Sequence, residues 1–333
     1  MGTSYMVTIA GRRLEVSGDD GMAAVRSAFG GIVDPGGNPA QATLEIETEP
    51  DPAGRDPWRE CGIGSHRSRE GALAVIRRGP SSVETFLPGL VPRLHLAASP
   101  DAMASGDLRA QPANHAIASW LASSKVQLVH GAAVAWRGRG VLLVGIGGRG
   151  KSTTALACAQ AGFSFLGDDL CVVESGCADR GLPARVHGIY ATAKLNHDSR
   201  NRLGARDWPL LGITPKGKDA FAIPPEIRFE RTVPLVALVA VRADGVSPGI
   251  ARCVPPRTAI GLLAATALPV ATGSGTPGLW LRAAASIARE VPAYEMGLDW
   301  DLERVAVAVR SIIESCGDRT HTTEPTSTPP NQR

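Results

Sequence analysis

The sequence predicts an α/β protein in which an open-sheet core follows a smaller α+β N-terminal domain. Three observations carry that expectation. From about residue 126 to residue 316, short apolar runs alternate with helical patterns, as they do where helices cover a sheet. Within that stretch one glycine-rich turn, Gly145-Ile146-Gly147-Gly148-Arg149-Gly150-Lys151-Ser152, stands between an apolar run and a helical segment. Residues 1 to about 110 instead hold short alternating runs broken by turn-rich stretches.

In the N-terminal part, 5–9, 42–47 and 73–76 read as strands. Between them lie Asp34-Pro35-Gly36-Gly37-Asn38-Pro39 and Glu49-Pro50-Asp51-Pro52-Ala53-Gly54, whose Gly, Pro, Asn and Asp content marks turns. No catalytic pattern occurs there, and Asp19-Asp20 and His66 read as parts of solvated turns. A connecting helix is expected over 114–124. In the core, strands are expected at 126–129, 132–134, 141–144, 163–166, 170–173 and 235–241, and helices at 153–161, 257–267, 280–289 and 300–315. The polar, Pro- and Thr-rich end of the chain is expected to be disordered. The expected organisation is therefore an N-terminal domain over 1–110, a core over 111–316 and a tail over 317–333.

Bulk properties exclude several classes. Lys and Arg number 35 against 32 Asp and Glu, a balance of +3 that argues against nucleic acid or an anionic membrane surface as partner. No run reaches the 18 apolar residues of a membrane span, and the N-terminus lacks a signal-peptide pattern. Met6 stands where the myristoylation pattern wants Ser or Thr. A cytoplasmic protein is the expectation. The six cysteines lack metal-ligand spacing, and Cys158 and Cys171 read as small core hydrophobes.

The glycine-rich turn matches G-x-x-x-x-G-K-[ST], the phosphate-binding loop, at every required position. Its context is the one the chemistry needs. A strand delivers the chain, glycines let N–H groups turn toward phosphate oxygens, and the N-terminus of the following helix adds positive dipole. Residues 145–152, continuing into Thr153, thus form the expected cradle for ATP. Lys151 would reach the β- and γ-phosphates, and the Ser152 hydroxyl would bind Mg²⁺. Downstream, an apolar run ends in Asp168-Asp169. In an open parallel sheet such a strand end faces the ligand, so one carboxylate could serve as a base for an incoming hydroxyl and the other could support Mg²⁺. His130, beside Gly131, reads on spacing alone as a hydrogen-bonded structural residue.

Taken together, His130-Gly131 before an apolar strand, the loop, and a strand ending in Asp168-Asp169 resemble the HPr kinase/phosphorylase family. The resemblance is specific over roughly 125–175 and weaker to about 315; residues 1–110 show none of that family's usual N-terminal domain. Lys151 lies 21 residues after His130, and Asp169 lies 18 after Lys151, as in that family's layout. The resemblance implies that His130 is an active-site residue, Lys151 the loop lysine and Ser152 the metal-binding hydroxyl. It implies that Asp169 is the base in phosphorylation and the acid in the reverse reaction, and it suggests a homo-oligomer.

The chain departs from the family at the glutamate that the family carries in a Leu-Glu-Ile-Arg-Gly segment as second metal ligand. No glutamate fits the corresponding stretch, Arg185 to Leu195. In this the chain is similar to divergent members found beside peptide-modification genes, including lasso-peptide kinases. The reading is an ATP-dependent serine/threonine kinase acting on a hydroxyl of a peptide or protein, with Asp169, Lys151 and His130 catalytic and Ser152 and Asp168 on Mg²⁺. The alternatives are an ATP-binding accessory protein without catalysis and a small-molecule kinase or NTPase. Lys216 and Lys218, on a flexible-looking loop, read equally as phosphate contacts or as solvated side chains.

Overall fold

Val141-Leu142-Leu143-Val144 is apolar on both sides of its pleat, and a strand of that kind belongs in the middle of a covered sheet. The computed structural model, which describes residues 3–30, 38–52, 65–67, 74–77, 81–122, 126–177, 180–242, 251–266, 277–298 and 301–317, places it there. The seven N-terminal strands are β1 (Thr3–Ile9), β2 (Arg12–Gly18), β3 (Ala42–Thr48), β4 (Ser65–Arg67), β5 (Ala74–Arg77), β6 (Ser82–Leu87) and β7 (Arg93–Ala98). The core sheet contains β8 (Val126–Val129), β9 (Ala132–Trp136), β10 (Arg139–Val144), β11 (Ser164–Gly167), β12 (Cys171–Glu174) and β13 (Arg185–Gly188). A small third sheet holds β14 (Thr192–Leu195), β15 (Leu210–Ile213) and β16 (Asp219–Ala222); β17 (Thr232–Arg242), β18 (Ala251–Val254) and β19 (Ala293–Gly297) return to the core sheet. The segment 318–333, expected to be disordered, lies outside the described residues.

The core sheet runs β11-β9-β10-β17-β13-β12-β8, with β19 on β17 and β18 on β19. It is mixed, which corrects the expectation of an open parallel sheet: β10–β17 and β17–β19 are parallel, and the other pairs are antiparallel. The physical reason is local. Arg137 and Gly138, with φ of 51° and 73°, make a two-residue connection between Trp136 and Arg139, which pair across it. Positive φ at both central positions is the hairpin turn whose twist suits antiparallel strands.

The two faces of β10 feed different clusters. Val141 and Leu143 pack with Leu156 of the helix Lys151–Gln160 and with Val309 and Ile313 of the helix Leu302–Gly317. Leu142 and Val144 face Leu263 of the helix Pro256–Thr266 and Ile287 of the helix Pro277–Glu290. Helical patterns expected at 257–267, 280–289 and 300–315 thus fall on helices. Strands β13 to β16, four residues each, escaped the sequence reading because short runs interrupted by polar residues carry little periodicity.

The N-terminal sheet runs β1-β2-β3-β7-β6-β5-β4, with β2–β3 and β3–β7 parallel. Its apolar face does not close on itself. Leu14, Leu44, Ile46 and Leu96 share one cluster with Ile117 and Leu121 of the helix Asn114–Ala122 and with Leu170, Val172 and Tyr190 of the core. Phe29 and Tyr190 pack at 5.4 Å between ring centroids, and Arg231 donates to the carbonyls of Thr8 and Phe29.

One buried side chain in the core sheet makes stability depend on pH. His187 of β13 is almost fully buried, with Nδ1 3.0 Å from Thr232 Oγ1. Burial, then the Arg185 charge, lowers its pKa from 6.5 to about 4; Glu174, more exposed and 3.3 Å from Nε2, does not offset this. The folded state therefore favours the neutral ring, and the unfolded chain takes up the proton first. The contribution to stability is complete above pH 6.5 and is lost as pH falls toward 4. Urea unfolding should show a loss of about 2 kcal/mol between pH 7 and pH 5, and His187→Gln should remove most of that slope. An unchanged slope in the variant would place the dependence elsewhere.

Candidate active site

Strand β9 sets the geometry of the site. Ala132 of β9 pairs with Leu143 of β10, and Ala133 pairs with Gly167 of β11. Because β9 runs opposite to both neighbours, its beginning and their ends share one edge of the sheet. His130-Gly131, the turn that starts at Gly145, and Asp168-Asp169 meet there. Gly131 is required at this point, since a Cβ would lie 2.8 Å from the carbonyl oxygen of Leu143.

From β10 the chain enters the glycine loop and then a helix that begins at Lys151, two residues earlier than expected. The residue before it, Gly150, has φ of 88°, and a Cβ there would also collide with Leu298. No side chain caps this helix, which leaves its first amides free for an anion. Lys151 is only 6% exposed and donates through Nζ to the carbonyls of Gly145 at 2.7 Å and Ile146 at 3.1 Å. Burial lowers its pKa, against the pull of Asp168 and Asp169, and Lys218 adds to the lowering.

The two aspartates differ in environment. Asp168 is 2% exposed; its Oδ2 accepts the Lys194 amide at 3.0 Å, while the buried Oδ1 has no hydrogen-bond partner. Burial raises its pKa and neighbouring Asp169 adds to the rise, opposed by the Lys194 amide, the Ser152 hydroxyl and Lys218. Ser152 acts on this carboxylate without closing a hydrogen bond to Oδ1. Asp169 has φ of 67°, a left-handed conformation that short polar side chains tolerate better than most. Its Oδ1 lies 2.9 Å from His130 Nδ1 and its Oδ2 3.1 Å from Lys194 Nζ. Burial raises the Asp169 pKa, but the His130 hydrogen bond and the Lys194 charge outweigh it and hold this carboxyl well below the usual range. Adjacent carboxylates pushed in opposite directions are the arrangement from which distinct acid–base roles arise.

One cleft is lined by Gly147, Gly148, Gly150, Lys151, Ser152 and Thr153, with His130, Asp168 and Asp169. Gly145, Ile146 and Arg149 do not line it: Ile146 is 66% exposed, and the first two contribute carbonyls to Lys151. The Thr153 hydroxyl donates to Ser199 at 3.0 Å, so what Thr153 can offer an anion is its backbone N–H. Of the two loop lysines, Lys218 lines the cleft and Lys216 does not. Sequence reasoning missed Lys194, Asn196 and Ser199, which also line it; no spacing signal connects them to the loop. Strand β14 brings in Lys194, and the helix His197–Arg202 that follows it brings in its N-cap Asn196 and Ser199. A larger apolar groove, about 810 Å³, crosses Pro234, Leu235 and Ala288, away from these groups. The chemistry converges on the smaller, polar cleft. Asp168 Oδ1, buried without a partner and beside the Ser152 hydroxyl, fits a hard cation such as Mg²⁺.

No protein-family model matches the chain, and no curated protein matches it. Among solved structures, the HPr(Ser) kinase/phosphatase from Coxiella burnetii is similar over 56% of this chain and 95% of that chain, at 13% identity and a TM-score of 0.30. The functional reading therefore rests on the cleft. Among the described residues no helix is long and apolar enough to cross a membrane.

Gly150 gives the direct test of the loop's geometry. Gly150→Ala should lower stability to urea by about 1–3 kcal/mol, because the residue must keep a left-handed φ against Leu298. Gly147→Ala, where a Cβ meets open space and φ is not positive, should cost less. Equal losses would show that neither φ nor Leu298 constrains the loop.

Proposed function

We propose that the chain is a kinase that transfers the γ-phosphate of MgATP to a hydroxyl of a peptide or protein. The single observation that carries this is the convergence of Lys151 with two oppositely perturbed aspartates, one of them held by His130, on the edge where the glycine loop opens. The loop and helix N–H groups of 147–153 would hold phosphate oxygens. Lys151, already turned into the loop, would pass its donors from the Gly145 and Ile146 carbonyls to the phosphates. Ser152 and Asp168 would hold Mg²⁺, which when bound neutralises charge on the phosphates.

Asp169 would take the proton of the acceptor hydroxyl as that oxygen bonds to the γ-phosphorus and the bond to the bridging oxygen breaks, leaving ADP. A carboxylate held ionised is a weak base, and it suffices here. In a loose transition state the attacking oxygen has formed little bond, so its proton leaves late. His130 would keep the Asp169 carboxylate aimed. The peptide or protein acceptor follows from the motif resemblance across 125–175, and an HPr-type protein and peptides encoded by neighbouring genes are the acceptors to try.

One observation favours a second reading, an ATP-binding accessory protein without transfer. Among the described residues that line the cleft, Asp168 and Asp169 supply the carboxylates, and a lysine of β14 already pairs with Asp169. Labelled ATP separates the two. Lys151→Ala should abolish transfer, whereas Asp169→Asn should keep ATP affinity within about threefold and lose transfer by about 100-fold or more. Equal loss of binding in both variants contradicts this division of labour, and wild-type binding without transfer to any acceptor supports the accessory reading.

A further inference from the structure

Between residues 190 and 194 three alternate side chains, which an extended chain projects to one side, bond to a single segment upstream. Tyr190 Oη donates to the Pro112 carbonyl at 2.6 Å, and Thr192 Oγ1 donates to the Ala110 carbonyl at 2.8 Å. Lys194 Nζ donates to Asp107 Oδ1 at 2.6 Å and to Gln111 Oε1 at 2.8 Å. The third acceptor of that ammonium is Asp169 Oδ2, at 3.1 Å. An ammonium has three donors, and here each has an acceptor.

The same residue reaches the other aspartate through its backbone, since the Lys194 amide donates to Asp168 Oδ2. Gln111 closes the circuit by donating through Nε2 to the Asp168 carbonyl at 3.4 Å. Lys194 is 8% exposed, so a change of rotamer would strand a buried charge.

We infer that Lys194 is a positioning residue: anchored by Asp107 and Gln111, it holds both aspartates in place, so the 107–112 segment is a working part of the cleft. Asp169, in a left-handed conformation, depends on these bonds for its orientation. The segment 107–112 precedes every motif of the nucleotide-binding core; Asp107 and Gln111 reach the site through Lys194, and Gln111 also touches the Asp168 carbonyl directly. The effect on transfer rests on the kinase reading; the effect on the geometry of Asp168 and Asp169 does not.

The test combines kinetics with amide hydrogen exchange on the full chain, comparing Lys194→Met, Lys194→Arg and Asp107→Asn with wild type. Lys194→Met should lower kcat by about 100-fold and leave KM for ATP within about threefold, because the loop is untouched and the carboxylate is displaced. Lys194→Arg should recover part of the loss, and Asp107→Asn should lower kcat by a smaller factor. In Lys194→Met, amides of 167–170 and 107–111 should exchange about tenfold faster or more, with those of 141–144 unchanged. Wild-type kcat in Lys194→Met, or unchanged exchange at 167–170, overturns the proposal. So does a parallel drift of kcat, KM and melting temperature in both lysine variants. Should Lys194→Met fail to fold, Asp107→Asn and Gln111→Leu carry the same two readouts. Should the wild type phosphorylate no acceptor, the kinase reading fails and exchange at 167–170 decides the positioning by itself.

Discussion

The antiparallel strand β9 is the constraint on which the site depends. Lying between β10 and β11, it makes the end of each neighbour coincide with its own beginning. A parallel strand in that place would present its far end, and His130 would leave the cleft. The hairpin at Arg137-Gly138 enforces the direction, since a two-residue connection cannot feed a parallel pair. The contact between His130 and Asp169 is therefore a consequence of a turn at the opposite end of the hairpin.

Around that edge the charges are arranged in layers. Lys151 and Lys194 are both buried, and each faces carboxylates or carbonyls that compensate for lost water. Asp168 lacks such compensation at Oδ1, whereas Asp169 has a cationic or ring donor on each oxygen. The difference between two adjacent residues of the same type arises from this unequal pairing. It leaves one carboxyl with a buried oxygen that has no hydrogen-bond partner and makes the other a fixed, ionised group.

The N-terminal sheet contributes to the same architecture from behind. Its apolar face is completed by Tyr190 and by Leu170 and Val172, which flank the aspartates and the strand that carries Lys194. Along the 190–194 segment Tyr190 packs against that sheet while Lys194, projecting to the same side, reaches the cleft, and Ala193 is buried in the core. The helices on the other faces of β10 bury Val141 to Val144 and so keep the start of the loop rigid.

The glycine loop itself was legible in the amino-acid sequence, because its pattern is local: glycines at fixed offsets, a lysine and a hydroxyl on the next turn. The apolar runs of β9, β10 and β17 and the long helices were legible for the same reason, as periodic burial is written in neighbouring residues. Asp168-Asp169 could be placed beside the loop, but from a parallel sheet that the structure replaces with a mixed one. Lys194, Asp107 and Gln111 left no readable signal. Their contacts run between strands of different sheets and a short helix far upstream, and a single lysine at the end of the run Ile189 to Ala193 carries no mark of the partners it meets in the fold. Which residues are candidates for chemistry was decided by local pattern; which ones surround and hold them was decided by packing, because only the folded chain brings a buried ammonium within hydrogen-bonding distance of carboxylates remote in sequence.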